Sequence, residues 1–193
     1  PLYTEADAFR AISLLQPVGY DRPVPVADGV EAEFINAGHL LGSSYARVRT
    51  NGSTILFGGD LGRFGRPVLP DPTMVEEADH LLVESTYGNR VHDKDDDGAK
   101  LAQAIKATIE RGGKVIIPAF AVGRTQELVY NLNRMYEAGD LEEIPVYVDS
   151  PLAVNASQIF KQHPECFDKN MRDLVRAGHP ALEFKLLKYI QNL

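Results

Sequence analysis

The chain has 193 residues, 44% of them hydrophobic and 24% charged, which is the balance of an ordinary soluble globular protein with room for one sizeable core or parts of two. Its formal charge of −7 argues against a protein that coats nucleic acid non-specifically, because such binding draws on Lys and Arg neutralising phosphates; bound divalent cations would still invert the local sign where they sit. One cysteine, Cys166, excludes a disulfide framework and a Cys-based zinc cluster, and no apolar run approaches the roughly 18 residues of a membrane span, so a cytoplasmic chain is the simplest reading.

Thr4 is a good N-cap with Asp7 three residues on, and Ala8, Ile12 and Leu15 continue a helical stripe that Pro17 ends. After an extended Pro23 to Val26, the stretch from Asn36 to Gly62, NAGHLLGSSYARVRTNGSTILFGGDLG, organises the rest. Val30, Ala32, Phe34 and Ile35 read as a strand that runs into Ala37-Gly38-His39. Tyr45, Arg47 and Arg49 alternate with Ala46, Val48 and Thr50, the period-2 signature of a half-buried strand. Asn51-Gly52 is a two-residue hairpin signal, since both residues tolerate positive φ. Ile55 to Phe57 return, and Gly58-Gly59 leave room beside Asp60. His39 and Asp60 then stand at the ends of paired strands at one sheet edge, and an imidazole with a carboxylate suits zinc. Taken singly, each also reads as a hydrogen-bonded loop residue or turn former.

The loop Leu61 to Pro72 is rich in Gly and Pro, and its Arg63 and Arg66 either face a substrate or are solvated. From His80 the pattern becomes alternating strand and helix: strand His80 to Glu84, helix Gly98 to Arg111, strand Lys114 to Pro118, helix Thr125 to Ala138, strand Ile144 to Asp149. That order predicts a parallel sheet with right-handed crossovers. Helices over Leu152 to Gln162 and Lys169 to Ala177 and an extended Phe184 to Ile190 follow.

Glu84, at the carboxyl end of its strand, suits proton transfer or the orientation of an imidazole, and equally an exposed strand end. Ala119 to Thr125 leads from a strand into a helix, so its N–H groups predict an anion site to which Arg124 adds a planar fork. The acidic run Asp93 to Asp97 imitates half of a calcium loop, but its twelfth position is Ala104, so it reads as a solvated loop. His80, His92, His163 and His179 have no partner at ligand spacing and read as surface or capping residues. Cys166 reads as a small buried apolar residue.

With their glycine frames, GHLLGS and GGDLG resemble the third and fourth metal-binding motifs of the metallo-β-lactamase fold in its β-CASP branch of nucleic-acid-processing nucleases. VESTYGNR, PAFAVGRTQEL and IPVYVDSPLA resemble further landmarks of that family, in the family's order. The resemblance implies an α/β chain: part of a metallo-β-lactamase αββα sandwich over residues 1–92, then part of a Rossmann-like parallel-sheet β-CASP cap over 93–193. It implies that His39 is a zinc ligand, that Asp60 bridges two zinc ions and is catalytic, and that Glu84 is a catalytic acid paired with a histidine of the cap. It places Arg124 where the cap faces the RNA backbone.

The reaction implied is two-metal hydrolysis of phosphodiester bonds in single-stranded RNA, by an endonuclease, a 5′-exonuclease or both. The family's HxHxDH cluster is absent from these residues, so the expectation is an internal piece of a longer nuclease, inactive alone. Oligomeric state is open, a homodimer included. Two other readings compete: a non-catalytic RNA-binding or scaffold relative, which altered ligands elsewhere would favour, and a small-ester or thioester hydrolase, which the cap-like half counts against.

Overall fold

A computed structural model describes residues 2–91, 98–180 and 182–190. His92 and the acidic run Asp93 to Asp97 lie outside the described residues. Helix α1 (Glu5–Ile12) starts at the expected cap, where Thr4 and Asp7 bond reciprocally. None of its side chains is buried, so its apolar stripe has no partner among the described residues.

Strands β1 (Val24–Ala27), β2 (Val30–Asn36), β3 (Ser44–Thr50), β4 (Ser53–Phe57) and β5 (His80–Leu82) form one sheet in that order. The first four are antiparallel neighbours and β5 lies parallel to β4. The β3–β4 turn is the expected Asn51-Gly52 hairpin, with Thr50 opposite Ser53, although only Gly52 takes a positive φ. On one face Ile35, Ala37, Tyr45 and Leu56 make a small core. Farther along that face Glu33 is buried, and a single carboxylate oxygen receives Arg47 at 2.7 Å and Arg49 at 2.9 Å from neighbouring β3. The buried Glu33 carboxylate can stay charged because the two partly exposed arginines pair with it.

Helices α2 (Ala99–Glu110), α3 (Arg124–Glu137), α4 (Pro151–Gln162) and α5 (Lys169–Arg176) build the second region with β6 (Val146–Asp149) and β7 (Leu187–Ile190), which pair in parallel. Two clusters fill it. Ala102 and Ile105 of α2 pack on Leu132 and Met135 of α3. Val129, Val148, Phe160, Phe167 and Met171 pack around Val68, which reaches in from the loop after the first sheet. The carbonyl of Val68 also accepts the Asp168 amide at 2.9 Å.

The α/β class is as expected, with two departures in strand pairing. His80 to Glu84 does not join the later strands: its first three residues extend the first sheet through β4. Lys114 to Pro118 is not a strand, and Ile116 is 89% exposed. This segment and β6 border an apolar cavity of about 790 Å³. An apolar run signals a strand, but a ladder also requires a partner edge, and here that edge is not in hydrogen-bonding reach.

Candidate active site

The end of β2 is fixed by its own polar side chain. Asn36 accepts the Gly38 amide at 3.0 Å and donates to the Asp71 carbonyl at 2.9 Å. Ser43 then closes the loop that carries His39: its hydroxyl accepts the amides of His39 and Leu40, both at 3.0 Å, and its carbonyl accepts that of Ala37 at 3.2 Å. Gly62 is the residue that brings Asp60 alongside. Its amide bonds the Ala37 carbonyl at 2.9 Å, and a Cβ there would lie 2.3 Å from the Gly38 carbonyl carbon. Gly38 is also confined: it has φ 61° and no space for a Cβ against Pro70 and Pro72.

In this frame His39 Nε2 lies 3.9 Å from Asp60 Oδ2. His39 Nδ1 lies 3.2 Å from the Leu61 carbonyl. A carbonyl only accepts, so Nδ1 is the donor in that contact, and Nε2 is the ring nitrogen turned toward Asp60. The other side of the same residue serves Glu84: the Leu61 amide donates to Glu84 Oε1 at 3.0 Å. Thr86 binds the second oxygen through its hydroxyl and its amide. The Thr86 hydroxyl bond first, then the Leu61 and Thr86 amides, and also the His39 ring, hold the Glu84 carboxyl below its usual range. Glu84 is therefore an acceptor-only carboxylate, suited to orienting a donor rather than supplying a proton.

His39, Asp60 and Glu84 line one wall of a cleft of about 600 Å³, and Phe120, Arg124 and Glu127 line the other. All four site residues expected from sequence thus meet in one space. Arg63 and Arg66 line it too, and Arg66 is not merely solvated: it pairs with Glu127 at 2.8 Å, with both side chains mostly covered. His80, His163 and His179 do not line this cleft. His163 caps the end of α4 and bonds Glu165, as a capping histidine does. Cys166 is half-buried, and burial pushes its thiol up, away from nucleophilic use.

The expected anion site at the start of α3 needs correction. The amide of Gly123 is taken by Gln126 Oε1 at 2.7 Å, that of Arg124 by the Val122 carbonyl and that of Thr125 by the Phe120 carbonyl. These three donors are spent within the turn, and Arg124's side chain is a cationic group that lines the cleft there. Two residues escaped the sequence reading. Gln126, fully buried, also donates to the Ala121 carbonyl and to Ser157 Oγ, joining the turn to α4. Glu127 receives Arg66 on one oxygen and Arg124, at 3.0 Å, on the other. Only the Arg124–Glu127 spacing of three residues was visible in advance.

Residues 125–192 match the family model of the Beta-Casp domain. That match covers most of the second region, which is thus similar to β-CASP proteins. The chain is 33% identical over 177 residues to an RNase J-like protein of Methanocaldococcus jannaschii, covering 90% of this chain and 42% of that protein. It is 33% identical to Ribonuclease TTHA0252 of Thermus thermophilus, covering 89% of this chain and 39% of the relative. Against Endoribonuclease ysh1 of Schizosaccharomyces pombe it is 33% identical, covering all of this chain and 26% of the relative. The chain therefore spans less than half the length of these relatives.

The two candidate ligands suit a metal in kind and orientation. Two donors on one tetrahedral zinc stand roughly 3.3 Å apart for bonds of about 2.0–2.1 Å, near the 3.9 Å between His39 and Asp60. The Leu61 carbonyl on Nδ1 is the usual outer partner of a metal-bound histidine. Among the described residues no three His, Cys, Asp or Glu side chains converge as a metal-holding group.

Proposed function

We propose that this chain supplies one face of the active cleft of a zinc-dependent ribonuclease that hydrolyses phosphodiester bonds in single-stranded RNA, with the metallo-β-lactamase part over 1–92 and the β-CASP part over 93–193. One observation carries the reading: the Leu61 peptide couples His39 to Glu84 while His39 Nε2 faces Asp60, all across a cleft from Arg124. The relatives named as ribonucleases support RNA as the substrate class.

His39 and Asp60 would hold the metal, which when bound supplies Lewis acidity and an acidified water. The protein's own contributions follow from its geometry. Leu61 keeps His39 in one tautomer. Glu84, held ionised, orients a donor on the substrate side. Arg124, 54% exposed at the cleft, offers donors beyond the one given to Glu127 and so can also hold a phosphate. The test is Asp60→Asn in the full-length protein. Cleavage of single-stranded RNA is expected to disappear, and bound zinc to fall, while RNA binding stays measurable. Full retained cleavage removes Asp60 from the site, and a wild-type protein that binds RNA without cutting it favours the non-catalytic reading.

A further inference from the structure

Glu127 occupies a place that the reading above leaves without a role. Its carboxylate joins two arginines of very different standing. Arg66 lies 61 residues away on the loop that follows Asp60, and in their contact at 2.8 Å the two side chains are 29% and 17% exposed. Arg124 is its neighbour by one turn of α3 and is 54% exposed. A covered charge pair is coupled more strongly than an exposed one, because water screens it less. An exposed pair three residues apart on a helix is worth little. The carboxylate therefore has one strong arm and one weak arm. The strong arm reaches the loop that Val68 already anchors in the helical core through burial and its carbonyl bond to Asp168. Asp60 begins that loop and Gly62 packs it onto the His39 turn, so holding the loop on α3 sets the distance between the cleft's two walls.

We propose that Glu127 is a positioning residue of the cleft: through Arg66 it clamps the Asp60-bearing loop to α3, and through its other oxygen it holds Arg124 in a contact weak enough for a phosphate to displace. The strong arm keeps the walls in register when RNA enters, and the weak arm yields. The functional half of this inference rests on the cleft being a site of RNA cleavage, and the structural half does not.

Two measurements separate these halves. The first is a double-mutant cycle in chemical unfolding. Arg66→Ala and Glu127→Gln should each lower the folding equilibrium constant about tenfold, with the double variant no worse than the worse single, whereas Arg124→Ala and Glu127→Gln should combine additively. Alongside it, spin labels at Phe64→Cys and Glu137→Cys in a Cys166→Ser background should give a broader distance distribution once Glu127→Gln is added. The second measurement is RNA cleavage by the full-length protein, at a temperature at which every variant is folded. In Glu127→Gln, kcat should fall about tenfold while KM changes less than about twofold, the pattern of lost alignment rather than lost binding. Additive unfolding energies with an unchanged distance distribution overturn the clamp. So does a Glu127→Gln variant whose loss lies in KM, since Glu127 would then act on binding. If the wild-type protein does not cleave RNA, the nuclease reading fails and the unfolding cycle and distances still decide the clamp.

Discussion

The sheet region and the helical region hold their functional residues by different forces. Up to β5 the only apolar cluster of buried residues among those described is Ile35, Ala37, Tyr45 and Leu56, and position is enforced by backbone contact: Gly62 on Ala37–Gly38, Ser43 across the His39 loop, Leu61 between His39 and Glu84. From α2 onward two larger clusters form, with Phe160 and Phe167 wholly buried, and Arg124 stands on a helix held by that packing. The sheet side is fixed by close backbone contacts with little burial, and the helical side is well buried but leaves Arg124 exposed at the cleft. A two-walled cleft gains from this division: ligands for a metal tolerate little displacement, whereas a group that follows a polyanion needs some freedom.

The contrast breaks most visibly in the helical core. Phe160→Ala removes a ring that is 2% exposed in the main cluster. It is expected to cost about 3–5 kcal/mol, measured by denaturant unfolding, and helical circular dichroism should be lost first. A cost under about 1 kcal/mol would mean that burial is not what holds this side.

Gly62→Ala attacks the other side. The new methyl would meet backbone at 2.3–2.4 Å, which no rotamer relieves. The expected cost is about 2–3 kcal/mol, with an effect on the site out of proportion to it, since the contact separates the Asp60 loop from the His39 turn. Zinc affinity and helix content are the two readings to compare: metal binding should fall while helix content persists. Equal loss of both would deny the sheet side its separate, contact-based stiffness.

Glu33→Gln probes the charges buried in that sheet. The Arg47 hydrogen bonds first, with Arg49 adding to them, hold the Glu33 carboxyl below its ordinary value of 4.5 against the opposing effect of burial. A carboxyl depressed in the folded state contributes stability that is fully present above its unfolded pKa and lost as pH falls through the folded one. The substitution should therefore cost about 2 kcal/mol at neutral pH, and the gap to the wild type should narrow below pH 4.5. A gap that stays constant with pH would assign the cost to shape rather than charge.

What sequence made legible follows the same division. Local period and turn chemistry located the Asn51-Gly52 hairpin, the Thr4 cap and all five helices to within a few residues, because each depends on neighbours in the chain. His39, Asp60, Glu84 and Arg124 were legible through motif frames and do share a cleft. The misses are all non-local. Lys114 to Pro118 has a strand's composition without a strand's partner. The N–H groups opening α3 were expected to be open because Gln126 was not known to fold back on Gly123. Gln126 depends on Ser157 and Glu127 on Arg66, separations of 31 and 61 residues at which a polar side chain carries no local sign of burial. The stripe of α1 shows the converse: amphipathicity defines a face without defining what covers it.

The smallest expected effect on stability is at Arg124. Its pair with Glu127 is exposed and local, so Arg124→Ala should change unfolding by less than about 0.5 kcal/mol. Binding is where it should register. Each phosphate neutralised by a cation releases counterions, so losing one contact on a single strand should make the slope of log affinity against log salt shallower by about 0.7. Titrations of the full-length protein with single-stranded RNA at several salt concentrations give that slope directly. A shallower slope with unchanged stability is what a mobile phosphate-seeking arm on a packed helix requires. An unchanged slope would mean that Arg124 is spent on Glu127 alone, and the helical wall would then meet RNA through some other residue.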